Sequence, residues 1–196
     1  MAKYEIAESI TGRNEGGYAN DKKDFGKETY AGISRRFWPN AEIWPYVDAA
    51  KKLIGYDGHL DPSSTIKEKM NKALRTPMMS KIISVFYKRN FWNINYLDLI
   101  NDQQIANTIY DFSVNKGEDY AAAMMQESVN ELVKWKVLVV DGDLGVKSIT
   151  QINKMNPVTL HALYNKKREA YYREQGVGSQ AKWLNGWLKR LKPYKK

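Results

Sequence analysis

The sequence predicts an all-α, helix-dominated fold with at most a small irregular hairpin near residues 18–32. Apolar residues recur at spacings of three and four, as in Ile66, Met70, Ala73, Leu74 and then Met79, Ile82, Ile83, Phe86, the period of one face of a helix. No segment alternates with period two for long enough to demand a large sheet, and no internal repeat is evident.

The first helix, residues 3–14, sets Ile6, Ala7 and Ile10 on one side and stops where Gly16-Gly17 makes continuation costly. From Tyr18 to Gly32 a mixture of Asn, Asp, Gly, Lys and Thr reads as a turn-rich loop or short hairpin. The prolines of Trp38-Pro39 and Trp44-Pro45 limit helix extension. A long helical stretch follows over about 65–93, bent or broken near Thr76-Pro77. Further helices are read at 102–114, 118–136, 145–153, 157–175 and 180–191, with 137–140 a short strand or an extended link into Asp141-Gly142. The polar stretch from Asn93 to Asp102 joins an N-terminal region, 1–96, to a C-terminal region, 97–196, packed against it.

Composition bounds the function. A chain of 196 residues that is 43% hydrophobic can bury a real core. No apolar run approaches the roughly 20 residues needed to span a bilayer, which argues against stable membrane insertion. The N-terminus carries Glu5 and Glu8 and lacks the apolar stretch of a secretory signal. Synthesis in the cytoplasm is the expectation, so an extracellular role requires another exit route. The absence of cysteine excludes disulfides, thiol nucleophiles and cysteine metal sites. His59 and His161, the two histidines, read as surface or cap residues, and no metal or cofactor is expected.

The net charge of +9 favours a polyanionic partner, either nucleic acid or the anionic bacterial wall. No helix-turn-helix, RNP or zinc-finger pattern accompanies it, which argues against nucleic acid. The tail from Lys182 to Lys196 has six basic residues and no acid, with Trp183, Trp187 and Tyr194 interleaved. The spacing Trp183, Trp187, Leu191 also reads as an apolar helix face.

One segment carries chemistry. Cleaving a glycosidic bond needs an acid to protonate the leaving oxygen and a second group to stabilise, attack or position water at the developing oxocarbenium centre. Glu15 would sit at the C-terminal end of the first helix, where the helix dipole and partial burial raise a carboxyl pKa toward that of a proton donor. Asp24 is the best second carboxylate, with Glu28 and Asp21 as competitors, and the hydroxyl of Thr29 suits holding a water. Tyr18, Tyr30 and Trp38 offer flat faces for pyranose rings, as do Trp44 and Trp92, although such rings also serve packing. Taken singly, Glu15-Gly16-Gly17 is a helix stop and Asp24-Phe25-Gly26 a turn; together they are more specific. Asn115 either caps a helix end or lines a glycan groove. Asp141-Gly142-Asp143-Leu144-Gly145 lacks the glutamate an EF-hand needs, since Ile152 stands there, and reads as a turn into a helix.

The segments Glu15-Gly16-Gly17-Tyr18, Asn20-Asp21, Asp24-Phe25-Gly26-Lys27-Glu28-Thr29 and Gly32-Ile33 together resemble the active-site signature of glycoside hydrolase family 108. That family comprises phage endolysin-like N-acetylmuramidases with a lysozyme-like helical fold. Tyr110-Asp111-Phe112-Ser113-Val114-Asn115-Lys116-Gly117, Asp141-Gly142-Asp143-Leu144-Gly145 and Gly186-Trp187-Leu188-Lys189-Arg190 resemble its C-terminal peptidoglycan-binding part. The resemblance implies Glu15 as general acid, with Asp24 and Thr29 similar in placement to the second carboxylate and hydroxyl. Lys27 departs from the glycine expected after Gly26. The implied reaction is hydrolysis of the β-1,4 bond between N-acetylmuramic acid and N-acetylglucosamine, by a monomer acting at the wall after export or lysis with a holin as partner. Two rivals remain at this stage: a lytic transglycosylase, which uses one glutamate and dispenses with Asp24, and a non-catalytic wall-binding or secretion-assisting protein.

Overall fold

The computed structural model describes residues 1–11, 16–21, 26–59 and 61–195. Glu15 and Asp24 lie outside the described residues. In chain order the elements are α1 (Tyr4–Thr11), β1 (Ala19–Asn20), β2 (Glu28–Tyr30), β3 (Ile33–Ser34), α2 (Trp44–Ile54), α3 (Ser64–Leu74), α4 (Pro77–Tyr87), α5 (Gln103–Lys116), α6 (Glu118–Val133), α7 (Val146–Lys154), α8 (Pro157–Gln175) and α9 (Ala181–Leu188). The fold is helix-dominated, as expected, and its strands form one small antiparallel sheet in the order β1-β2-β3. The chain divides into two compact units: Gly12–Lys88, and Met1–Thr11 together with Arg89–Lys196.

In the unit 12–88 the sheet pairs Ala19 with Thr29 and Asn20 with Glu28, then Thr29 with Ser34 and Tyr30 with Ile33. A two-residue turn links β2 and β3, with Ala31 at φ 50 and Gly32 at φ 77, both left-handed as a type I′ hairpin requires. Glycine takes that conformation freely, whereas alanine there costs about 1 kcal/mol. Ile33, Ile43, Trp44, Val47, Met70 and Met79 form the core, each side chain contributing roughly 1.5–3 kcal/mol through burial.

Three helix starts in this unit turn on local chemistry. Helix α2 occupies a stretch where the sequence reading placed only a limit to helix extension. Pro45 stands in its first turn, where a missing N–H costs nothing and a fixed φ suits the helix. The helical stretch expected over 65–93, bent or broken near Thr76-Pro77, is broken there into α3 and α4. Ser63 caps α3 by accepting the Ile66 N–H, and Thr76 caps α4 by accepting the Met79 N–H ahead of Pro77. Thr76-Pro77 is therefore a start signal.

In the other unit α1 packs on α5, and α5 on α6 and α8. The ring of Tyr4 stands edge-on to Trp92 and Tyr110, with centroids 5.6 Å away in both cases. Helix α1 thus buries Tyr4, Ala7 and Thr11, while Ile6 and Ile10 are 42% and 57% exposed. The expected face of Ile6, Ala7 and Ile10 is rotated by this aromatic anchor. His161, expected at the surface or a cap, is buried with its ring edge-on to Tyr194. Burial, and then the neighbouring charge of Arg168, push its pKa down. Residues 137–140 are an extended link, with Leu138 fixed through both backbone groups by the amide of Asn130.

Two of the C-terminal motifs meet here. Asp111 pairs with Arg190 at 2.7 Å and with the buried Arg168 at 2.5 Å, and Arg168 lies over the Phe112 ring. Trp187 stacks on Tyr172, whereas Trp183 is 54% exposed. In the Asp141–Gly145 motif, Gln126 Nε2 donates to Asp141 Oδ1 (2.7 Å) and the Asp143 carbonyl (2.8 Å), and its Oε1 accepts the N–H groups of Asp141 and Gly142. One buried amide thereby holds the whole turn ahead of α7.

Candidate active-site cleft

A cleft of about 280 Å³ lies within the unit 12–88, with Gly16, Gly17, Tyr30, Asn71, Arg75 and Met79 among its lining residues. The glycine pair that follows Glu15 in the chain forms part of this lining. Its path is fixed from both sides. The Gly16 carbonyl accepts the Ala31 N–H at 2.9 Å, and the Tyr18 N–H donates to Asn71 Oδ1 at 2.8 Å. The Tyr87 hydroxyl in turn donates to the Ala31 carbonyl at 2.7 Å. Strained Ala31 therefore presents one backbone group to the glycine loop and the other to α4.

The two glycines are unlike. A Cβ on Gly17 would lie 2.6 Å from Asn71 Nδ2 and 2.7 Å from Oδ1, whereas a Cβ on Gly16 would meet nothing within 4 Å. The backbone of Gly17 thus approaches Asn71 more closely than any side chain at that position permits.

Beneath the loop lies a charged cluster. Glu28, only 12% exposed at its side chain, is contacted by Arg35 Nε at 2.6 Å and Lys51 Nζ at 2.9 Å, and accepts the Tyr18 hydroxyl at 2.8 Å. The Arg35 Nε contact is an ion pair by distance, and its N–H is not aligned as a hydrogen bond. Arg35 also grips Asp48 with both terminal nitrogens, at 2.7 and 3.1 Å, and lies over the Trp44 ring at 4.4 Å. Lys51 bridges Asp48 and Glu28. Two acids and two bases cancel, which is the condition for holding charge at low exposure. Partial burial works to raise the Asp48 pKa, but the bonds from Arg35 and Lys51 outweigh it and hold the group below its ordinary value. Burial likewise opposes the charge on Lys51, and Glu28 and Asp48 outweigh it, raising its pKa. Burial, reinforced by Glu28, pushes the Tyr18 hydroxyl far up.

Glu15 and Asp24 lie outside the described residues. Tyr18 is a core residue, its ring edge-on to Tyr56 and its hydroxyl given to Glu28. Tyr30 is largely buried and lines the cleft. Thr29 lies on β2 between the inward-facing Glu28 and Tyr30, with its hydroxyl 3.4 Å from the Lys27 carbonyl. Trp38 is half-buried, edge-on to Phe86, and its carbonyl accepts the Trp44 indole N–H. Asn115 belongs to the last turn of α5, in the other unit. Of the two competing carboxylates, Glu28 is committed to its cation pair, and Asp21 is exposed beyond β1. Sequence reasoning missed Asn71 and Arg75; polar positions on an amphipathic helix carry no signal that separates a cleft wall from a solvated face.

A family model described as Glycosyl hydrolase 108 matches residues 9–117, a span that takes in all of these positions. The chain belongs to the glycosyl hydrolase 108 family. Membership in glycosyl hydrolase 108 makes it a glycoside hydrolase of the peptidoglycan-cleaving kind. Solved structures match as well, among them that of Brucella abortus SagA, 21% identical over 96% of this chain and 88% of that chain, with a TM-score of 0.61. At that identity the likeness shows that this glycosyl hydrolase 108 chain shares SagA's fold. No curated protein sequence matches it.

Proposed function

We propose that the protein is an N-acetylmuramidase that hydrolyses the β-1,4 bond between N-acetylmuramic acid and N-acetylglucosamine in peptidoglycan, with Glu15 as general acid. The observation that carries the proposal is the clamped glycine pair. The residues directly after Glu15 line a cleft, and their backbone is held by Ala31 and Asn71, the kind of pre-organisation a positioned acid requires. Glu15 protonates the glycosidic oxygen as the bond breaks. A second carboxylate then stabilises the oxocarbenium-like centre, attacks it, or activates water. Asp24 takes that role, a choice supported by the engagement of Glu28 with Arg35, Lys51 and Tyr18. Thr29 orients the water. Tyr30 and Trp38 supply sugar contacts, and Tyr18 acts by holding the loop.

Residues 97–196, with Asn115, contribute wall binding. The enzyme acts as a monomer at the wall after holin-assisted export or lysis.

The test is mass spectrometry of fragments released from purified peptidoglycan. Reducing-end muropeptides from the wild type and none from Glu15→Gln are expected, with Asp24→Asn strongly impaired. Anhydro products, with Asp24→Asn still active, would replace hydrolysis by transglycosylation. A wild type that releases nothing would leave a wall-binding role.

A further inference from the structure

Asn71, in the last turn of α3, and Arg75, the residue that caps the C-terminal end of α3, both line the cleft. The Tyr18 N–H fixes Oδ1 of Asn71, which commits the amide NH₂ to the other side. Among the described residues, neither that NH₂ nor the Arg75 guanidinium has a hydrogen-bond or ion-pair partner. Arg75 is also the single charged side chain among the cleft's described lining residues; the others are Gly, Tyr, Ala, Asn, Leu, Thr, Pro, Met, Ser and Ile. The wall therefore offers one unpaired cation and one unpaired amide donor at adjacent positions, and no described anion faces them.

We infer that Arg75 is a specificity-determining residue that pairs with a carboxylate carried by the glycan, while Asn71 Nδ2 donates to a neighbouring acyl oxygen. The guanidinium fork matches a carboxylate in a bidentate arrangement, so the site takes acidic glycan strands in preference to neutral ones of the same backbone. The inference rests on the cleft being the active site. A competing explanation is that Arg75, at the C-terminal end of α3, only complements the helix dipole. Lysine serves the dipole equally well but cannot form the fork.

The test uses a soluble peptidoglycan tetrasaccharide with free carboxylates and the same compound with those carboxylates amidated. Turnover is measured for wild type, Arg75→Gln and Arg75→Lys, and binding is measured calorimetrically with each Arg75 form in a Glu15→Gln background. Expected are a KM and Kd for the acidic compound about tenfold higher in Arg75→Gln, with kcat within about twofold and the amidated compound unaffected. Arg75→Lys is expected to be intermediate, and the wild-type preference for the acidic compound to shrink with added salt. Equal losses on both compounds, or none on either, would overturn the role of Arg75. Charge-dependent binding without turnover keeps Arg75 and instead sinks the muramidase reading.

Discussion

Gly17→Ala is the sharpest perturbation of the cleft. The added methyl would sit 2.6, 2.7 and 3.0 Å from three atoms of the Asn71 amide, well inside ordinary contact. Asn71 must rotate away and release the Tyr18 N–H, or the loop must shift and release the Gly16 carbonyl from Ala31. Either route leaves a backbone group without its partner, which costs about 1–3 kcal/mol, or roughly 3–10 °C in melting temperature for a chain of this size. Activity should fall further than stability, since a displacement of about 1 Å in a catalytic group costs on the order of 100-fold. Gly16→Ala, with open space around its Cβ, is expected to remain within about 0.5 kcal/mol of wild type and to keep its activity. The assays are thermal unfolding and muropeptide release on the two variants and on Gly17→Ala/Asn71→Ala. The double variant removes the obstacle, so its stability loss should be less than the sum of the single losses. Equal behaviour of the two glycine variants, or a strictly additive double variant, would refute the clamp.

Three further outcomes are expected. Glu28→Gln breaks a largely buried ion pair while keeping an acceptor for Tyr18, and should destabilise by about 3 kcal/mol in urea unfolding. Asp48 has a folded pKa below its unfolded one, so its contribution to stability is complete above about pH 4 and is lost as pH falls through the folded value. Melting temperature plotted against pH should therefore show the wild type losing its advantage over Asp48→Asn only in that acid range, while the contribution of Lys51 is complete below its unfolded value of about 10.5 and is lost only as pH rises through a higher folded value. Gln126→Leu removes both faces of the amide that holds residues 141–143 and should cost about 3 kcal/mol or more, read as faster limited proteolysis of that turn.

How much was legible in the sequence depended on how local the cause was. The apolar faces of α3 and α4 announce themselves because their buried residues, Met70, Leu74 and Met79, follow the helical period. The hairpin is legible through Gly32, whose left-handed φ is a glycine signature. Helix α2 was not legible, because Pro45 is compatible with stopping a helix or starting one and nothing nearby decides between them. The buried face of α1 depends on Trp92 and Tyr110, 88 and 106 residues further along the chain than Tyr4. Arg168 reads as a surface charge until Asp111, 57 residues away, is placed beside it. Of the cleft, the sequence pointed to the segment of Gly16-Gly17, which forms part of its lining. The far wall was not legible, since Asn71 becomes part of the cleft only through a bond to Tyr18, 53 positions earlier.

One of the two units is built from both flanks of the other, so its contacts join parts of the chain that are far apart in sequence. A ribosome completes residues 12–88 before α5 exists, while α1, eight residues long and far too short to be stable alone, has already emerged. The edge-on ring partners of Tyr4, Trp92 and Tyr110, are synthesised only after residues 12–88. The same nesting means that a cut within residues 12–88 would leave α1 joined to its unit by packing on α5, by the Ala2 N–H donated to the Ile100 carbonyl and by the two bonds between the Lys3 backbone and the Gln103 amide.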